Sequence, residues 1–446
     1  MSAASAVTPG RSAPVKRRSV YGVLAICWAT IVADGYDLIS YGSVLPDLLQ
    51  YREWGLDAAA AGRLGSLALV GMLIGALVMG TLTDRLGRRR VMIACLIWFS
   101  VFMPLTGLAP TPEIFGALRF VTGLGLGGVV PTAIALTIEY SAPSRRHLHN
   151  AIMYSGYSAG GLAAALLAMV VLPAAGFRMM FFIGAAPLVL IVPFAIAFLP
   201  ESVSYLVARG RIDEARRYAE RYGLPMPDDV EVAAAQRQDR FASVRMLFSR
   251  GYRVATPMFW AISLIGLLLV YGLNTWLPEV MRSSGYSLGT ALAFLLVFNL
   301  GAIVGVITAG ALADRIGERV IICASFLAAA ASVTLLSARP PEIILFALIA
   351  IAGFGANTQT LVNAFVGGYY PPTARATALG WALAVGRIGG IIGPVYGGLV
   401  LTAVETGLFP AAMNFYAFAL PAVLAAVAVA FVPRRQPSPS GSSPAA

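Results

Sequence analysis

The chain has 446 residues, of which 58% are hydrophobic and only 12% charged. A water-soluble domain carries roughly a quarter of its residues as charges, so these proportions exclude a protein whose whole surface faces water. The net charge of +11 does not indicate a nucleic-acid binder, because the basic residues sit in short loops between apolar runs.

A helix needs about 20 mostly apolar residues to cross the hydrocarbon layer. Runs of that length predict spans near 20–48, 60–83, 90–109, 113–140, 149–171 and 179–199. A second set falls near 253–280, 289–313, 319–337, 342–367, 374–402 and 411–432. Barrel strands would be about 10 residues long with alternating polarity, and these runs are longer and do not alternate. Arginine and lysine favour the cytoplasmic side of a membrane. Arg11, Lys16, Arg17 and Arg18 precede the first span, Arg85 and Arg88 to Arg90 follow the second, and Arg145 and Arg146 follow the fourth. The stretch between the two sets is Arg-rich, and Arg434 and Arg435 follow the last span. The alternate loops hold only scattered charges: Arg52 with Glu53, Arg178, Arg282 and Arg339. Both termini are therefore expected in the cytoplasm.

In chain order, the first span carries Asp34 and Asp37. A charge at mid-membrane costs roughly 2.5–3.5 kcal/mol on insertion scales. Asp34 lies about 21 Å along a helix that begins near Val20, and a spacing of three puts both carboxylates on one face. A proton carrier needs such a carboxyl; the plainer reading is a packing acceptor for an amide or arginine. After the second span, Gly80-Thr-Leu-Thr-Asp84-Arg85-Leu-Gly87-Arg88-Arg89 is echoed by Gly310-Ala-Leu-Ala-Asp314-Arg315-Ile-Gly317-Glu318-Arg319 after the eighth. The echo predicts an all-α membrane protein of twelve helices in two six-helix pseudo-symmetric halves. The expected organisation is a cytoplasmic tail over 1–19, a first half over 20–199, a linker over 200–252, a second half over 253–432 and a disordered tail over 433–446. The linker should hold an amphipathic helix from Arg211 to Tyr222, ended by Pro225 and Pro227.

Arg119 in the fourth span and Arg387 in the eleventh lie in glycine-rich apolar segments. Each must meet a carboxylate, a substrate anion or water. Arg119 suits a pair with Asp34 or Asp37. The planar fork of Arg387 suits a substrate carboxylate or a structural ion pair. Gly123-x-Gly125-x-Gly127 lies inside a span with no strand before it and is no nucleotide loop. His147 and His149 read as solvated loop residues, and Cys27, Cys95 and Cys323 form no disulfide framework. Metal ligands, a nucleophile–base cluster and an ATP motif are not apparent, so neither a cofactor nor an enzyme is expected.

The duplicated loop resembles the signature of the major facilitator superfamily, over the whole chain. Asp34-Gly-Tyr-Asp37-Leu with Tyr41-Gly-Ser-Val-Leu-Pro46, and Arg119-Phe-Val-Thr-Gly-Leu-Gly-Leu-Gly-Gly128 running into Glu139-Tyr140, are similar to the aromatic acid:proton symporters. Pro200-Glu201-Ser202 is shared with the sugar-porter branch. The resemblance implies import of an aromatic carboxylate of the benzoate or hydroxybenzoate type with protons, by a monomer in a bacterial inner membrane. Its partners would be the acid, protons and lipid, and no nucleic acid. It places Asp34 and Asp37 at the functional core. An aromatic ring needs apolar walls with a few polar groups; Tyr36, Tyr41, Tyr154, Tyr157, Tyr271, Asn274, Asn357, Gln359 and Trp381 are candidates. Each also fits packing or an interfacial anchor, and interhelical bonding equally suits Asn274 and Asn299. Glu139 with Arg146 resembles a sugar-porter gate in which the glutamate pairs with Arg85, Arg88 or Arg89, and Asp84 belongs to the same latch. Asp314, Arg315 and Arg319 would serve likewise in the second half, where Gly368 stands in place of the glutamate and Glu318 is a substitute partner. Other readings are a transporter of another organic anion or sugar-like solute, a drug exporter, or an aromatic-acid sensor.

Overall fold

In a computed structural model of the chain, residues 19–142, 145–226 and 240–433 are described, without the side chains of His147, 240–243, Asp314 and Pro372. The basic N-terminal stretch, Pro227, the tail with Arg434 and Arg435, and the Asp314 side chain lie outside the described residues. Eleven of the described helices are long and apolar enough to cross a membrane, and a shorter apolar stretch supplies the twelfth pass.

The first half comprises α1 (Val20–Gln50), α2 (Ala58–Leu86), α3 (Arg88–Gly107), α4 (Pro112–Glu139), α5 (Arg146–Ile183), α6 (Ala186–Leu190) and α7 (Val192–Phe198). Short α8 (Val203–Ala208), α9 (Ile212–Tyr222) and α10 (Arg240–Leu247) follow. The second half comprises α11 (Ala255–Ser283), α12 (Leu288–Ile316), α13 (Glu318–Leu336), α14 (Glu342–Ala356), α15 (Gln359–Tyr369), α16 (Pro372–Glu405) and α17 (Met413–Phe431). Local chemistry sets the helix starts. Asp57 Oδ1 accepts from Ala60 N at 2.6 Å, and Ser287 Oγ from Thr290 N at 3.2 Å. Each satisfies an amide that the first turn leaves open. The two copies of the repeated loop turn on the same residue. Gly87 has φ 97° and Gly317 φ 101°, a conformation that a Cβ would strain.

Two predicted spans differ from single helices. The sixth is in pieces: Gly176 breaks α5 at φ 71°, and Pro187 and Pro193 open the next short helices, where a missing N–H costs nothing. The tenth is divided at Asn357 and Thr358. There Asn357 Nδ2 donates to Gly353 O at 3.0 Å and Thr358 Oγ1 to Gly355 O at 3.1 Å, side-chain bonds that compete with the helix ladder.

The halves repeat one packing plan. α1 packs on α5 and α2 on α4; correspondingly, α11 packs on α16 and α12 on α14. Between halves, α2 meets α16, α5 meets α12, and α1 meets α11. An even number of passes puts Ser19 and Pro433, the outermost described residues, at one end of the bundle, here the terminal end. The contacts joining the halves gather at the far end and at mid-depth. Ser66 Oγ donates to Ile391 O at 2.6 Å, and a Cβ on Gly62 would lie 2.6 Å from Pro394 O. A Cβ on Gly42 would collide with the Asn274 carbonyl, so α1 and α11 cross with backbones in contact.

Overpacking costs roughly 1–3 kcal/mol, so Gly42→Ala should disfavour this far-end closure by about 5- to 150-fold. With the native cysteines replaced, Ser66→Cys should react correspondingly faster with a membrane-impermeant maleimide in Gly42→Ala. The control is Gly22→Ala, whose Cβ meets nothing within 4 Å. Equal labelling rates in the two backgrounds would refute the closure assigned to Gly42.

Candidate functional site

Between the halves lies a cavity of about 150 Å³, a volume that elsewhere suffices to hold benzene. Ile31, Asp34, Leu69, Met72 and Val130, with Tyr154, Tyr157 and Ser158, form its wall on the first half. Leu267, Val270, Tyr271, Val306, Leu383 and Arg387 face them from the second, together with Asn357, Gln359, Thr360 and Asn363 from the interrupted tenth span. These positions lie at mid-depth or toward the terminal end, whereas the far end is closed by the crossings above.

Asp34 is 1% exposed and neither of its oxygens has a partner. A buried polar group without a bond costs free energy comparable to a lost hydrogen bond, and a charge costs more. Asp34 is thus a buried carboxyl that the protein itself leaves without a bond. Arg387 lines the same cavity, and its charge acts on Asp34. Its Nη1, however, donates to Met72 O across the half interface at 3.0 Å. Tyr157 and Tyr271 meet edge to face across the same interface, with centroids 6.1 Å apart.

Asp37 has a different fate. Three residues along a helix is 300° of turn, so its side chain is offset by about 60° from Asp34. It turns toward α4 and forms an ion pair with Arg119, both residues being almost completely buried. The guanidinium also lies 5.7 Å from the Tyr41 ring centroid. The expected sharing of one site by the two carboxylates is thus replaced by two environments, a free one and a paired one.

The cavity brings together Asp34, Tyr154, Tyr157, Tyr271, Asn357, Gln359 and Arg387 of the sequence-based set, and leaves out Asp37, Arg119, Tyr36, Tyr41, Asn274 and Trp381. The reasons are specific. Tyr36 OH donates to Met180 O at 2.8 Å and Tyr41 OH to Ala61 O at 2.6 Å, pinning both to neighbouring backbones. Asn274 Oδ1 accepts from Asn299 Nδ2 at 3.0 Å. Trp381 is exposed on the outer surface and stacks on Trp260 at 5.4 Å. Ser158, Thr360 and Asn363 were not identified from sequence, and only their helical spacing from Tyr154, Gln359 and Asn357 could have signalled them.

At the terminal end, Glu139 pairs with Arg88 at 2.8 Å and accepts from Ser202 Oγ at 2.7 Å and Ser204 N at 2.8 Å. Glu201 accepts from Arg89 N at 3.0 Å, while Tyr205 OH and Arg209 donate to Arg85 O. This network ties the α2–α3 loop and the end of α4 to the start of α8 in the linker. Glu201, Ser202 and Ser204 join it, the first two from the Pro-Glu-Ser stretch. The side chains of Asp84 and Arg85 are exposed, and Arg146 Nε has no partner. In the second half Arg315 is exposed and Arg319 Nε donates to Val429 O at 3.1 Å. Gly368 lies beside Glu318, whose Oε2 would be 3.9 Å from an added Cβ.

A family model described as Major Facilitator Superfamily matches residues 27–308 and 295–446. The chain belongs to the major facilitator superfamily. It is 38% identical over 436 residues to the benzoate transport protein of Acinetobacter baylyi, covering 95% of this chain and 92% of the relative. It is also 38% identical over 416 residues to the gentisate transporter of Corynebacterium glutamicum, covering 92% and 87%. Among solved structures, a D-xylose-proton symporter shares the fold with a TM-score of 0.74 at 17% identity, over 94% of this chain and 99% of that one. The site just described is thus the central cavity of a superfamily transporter, not the active centre of an enzyme.

Breaking a buried ion pair from one side leaves an uncompensated charge and costs roughly 3–5 kcal/mol. Arg119→Leu should therefore lower the melting temperature of the purified protein more than the double variant Asp37→Asn with Arg119→Leu. A double variant that melts at or below the single one would show that the pair is not what holds α1 to α4.

Proposed function

We propose that this chain imports an aromatic carboxylate together with protons, by rocking of its two halves about the central cavity. The observation that carries the reading is the pairing, in one cavity, of a partnerless buried carboxyl, Asp34, with an arginine, Arg387, among three tyrosines. Arg387 supplies the planar fork that a carboxylate takes in two bonds. The tyrosines and the apolar side chains of Leu267 and Leu383 supply faces for a flat ring. Asp34 takes the proton, and Asp37 with Arg119 holds α1 in place so that Asp34 keeps its position. The names of the benzoate and gentisate relatives support the substrate class, and the fold shared with a proton symporter supports the coupling.

The chain would lie in a bacterial inner membrane with both termini in the cytoplasm, as the placement of arginines favours. The conformation seen here is then inward-facing, with its outer end shut by the α1–α11 and α2–α16 crossings. Asp84, Arg85, Arg88, Arg89, Glu139 and Arg146, with Asp314, Arg315 and Arg319, form the inner gates. The Arg88–Glu139 pair keeps the first-half gate assembled while the inner side is open. The working unit is a monomer of two halves, 20–199 and 253–432, joined by the linker 200–252.

The test is uptake of labelled benzoate and 4-hydroxybenzoate into proteoliposomes, with and without an inward proton gradient. Gradient-driven accumulation is expected in the natural protein, and Asp34→Asn and Asp37→Asn should each lower it by at least about tenfold, the effect of 1.4 kcal/mol. Undiminished accumulation in Asp34→Asn would sink the coupling role, and in Asp37→Asn the positioning role. Flux without accumulation would favour another ion or direction.

A further inference from the structure

Relatives named for an unsubstituted ring and for a dihydroxylated ring match this chain at the same 38% identity, so likeness does not choose between them. The cavity does. Resting on the reading above, we infer that the acid carried by this chain bears a ring hydroxyl, and that Gln359 and Asn363 are the side chains that recognise it.

An aromatic monocarboxylate with an otherwise unsubstituted ring has all its polar atoms at one end. Arg387 and Asp34 meet that need. Any further polar side chain that closes onto an unsubstituted ring loses water and gains nothing in return. Yet the interrupted tenth span sets Asn357, Gln359, Thr360 and Asn363 on the wall of the same cavity. The helix break explains only part of this set. Asn357 and Thr358 use their side chains to satisfy carbonyls at the break. Gln359 and Asn363, one turn apart on α15, have no such duty. Gln359 Nε2 donates to Asn363 Oδ1 at 3.1 Å, and Gln359 Oε1 has no partner.

That oxygen occupies room left by a glycine, since a Cβ on Gly266 of α11 would come within 2.9 Å of it. The amide pair is therefore seated by the packing in the cavity wall, with one acceptor, Gln359 Oε1, left without a partner. A phenolic hydroxyl both donates and accepts, as each amide does. It can enter the pair by giving its proton to an amide oxygen and accepting from an amide N–H. A second carboxylate is the wrong complement, because Arg387 is the sole cation among the lining residues and an amide wall offers no charge to balance a second anion. The selected class is a hydroxylated aromatic monocarboxylate.

A site that hydrogen-bonds a substrate hydroxyl penalises the analogue lacking it, because its own polar groups are then left unpaired. The full chain in proteoliposomes should take up 3- or 4-hydroxybenzoate or gentisate with a kcat/KM at least roughly tenfold above that of benzoate, the effect of a single well-placed bond. In Gln359→Leu and Asn363→Leu this ratio should fall toward one. Because both acids are measured on the same preparation, a lower yield of folded protein does not move the ratio. Where turnover is lost, the ratio is read from competition binding, and Thr360→Val gives a further variant on the same wall. Benzoate taken up as well as every hydroxylated acid, or a ratio unchanged in both leucine variants, would overturn the inference and leave aromatic-acid transport standing. Uptake of none of these acids would remove the underlying reading and this one with it.

Discussion

Hydrocarbon offers no hydrogen bonds, so every buried polar group of a membrane protein must find its partner inside the protein or line water. Most of this molecule obeys that constraint in ways that can be traced atom by atom. Arg119 is closed by Asp37, Asn299 by Asn274, Tyr36 by a carbonyl of α5 and Tyr41 by a carbonyl of α2. Each closure fixes one helix against another, because each partner belongs to a different span. Against that background one carboxyl stands out among the buried atoms that lack a partner, because neither of its oxygens is bonded. Asp34 has two oxygens, almost no exposure and no partner, and the residues around it form the cavity.

The same constraint shapes how the halves can move. A rocking motion must break contacts on one side without leaving polar groups stranded. The far-end contacts suit this, since they are largely backbone against glycine, as at Gly42 and Gly62, with one hydroxyl bond from Ser66. Parting them exposes few polar atoms. The charged network at the terminal end is built differently: Arg88 pairs with Glu139 in the first half, and Glu139 and Arg89 bond to the serines after Glu201 and to Glu201 itself at the start of the linker. On the proposed rocking it would move as a unit with that half and leave the cavity free to open toward it.

The fold was legible from sequence because its signals are long or repeated. Runs of about 20 apolar residues mark the spans, and the doubled Gly-x-x-x-Asp-Arg-x-Gly loop marks the two halves through a glycine that must take positive φ in both copies. The site was legible only in part. Asp34 and Arg387 could be found because charge inside a span demands a reason. The aromatic and amide residues could not be sorted, because a tyrosine bonded to a carbonyl and a tyrosine facing a cavity have the same sequence signature. Tyr41 and Tyr157 illustrate this: the first is anchored to Ala61, the second lines the cavity. The break at Asn357 and Thr358 was likewise hidden inside a run apolar enough to read as one helix.

The two aspartates of α1 show how one helix separates structure from chemistry over three residues. Had they been four apart, they would have stood closer to one line along the helix, and Arg119 could have neutralised either. At three, the offset of about 60° sends Asp37 to α4 and Asp34 to the cavity. Asp37 is then a fixed negative charge whose partner is permanent, and it can set the position of α1 without taking part in exchange. Asp34 feels the charge of Asp37 as well as that of Arg387, the one cation acting on it, and that arginine is held by the Met72 carbonyl, not by Asp34. A substrate carboxylate arriving at Arg387 would therefore bring a second negative charge beside a carboxyl with no bond of its own. On the proposed reading, protonation of Asp34 would remove that repulsion, which would link the entry of the anion to the uptake of a proton.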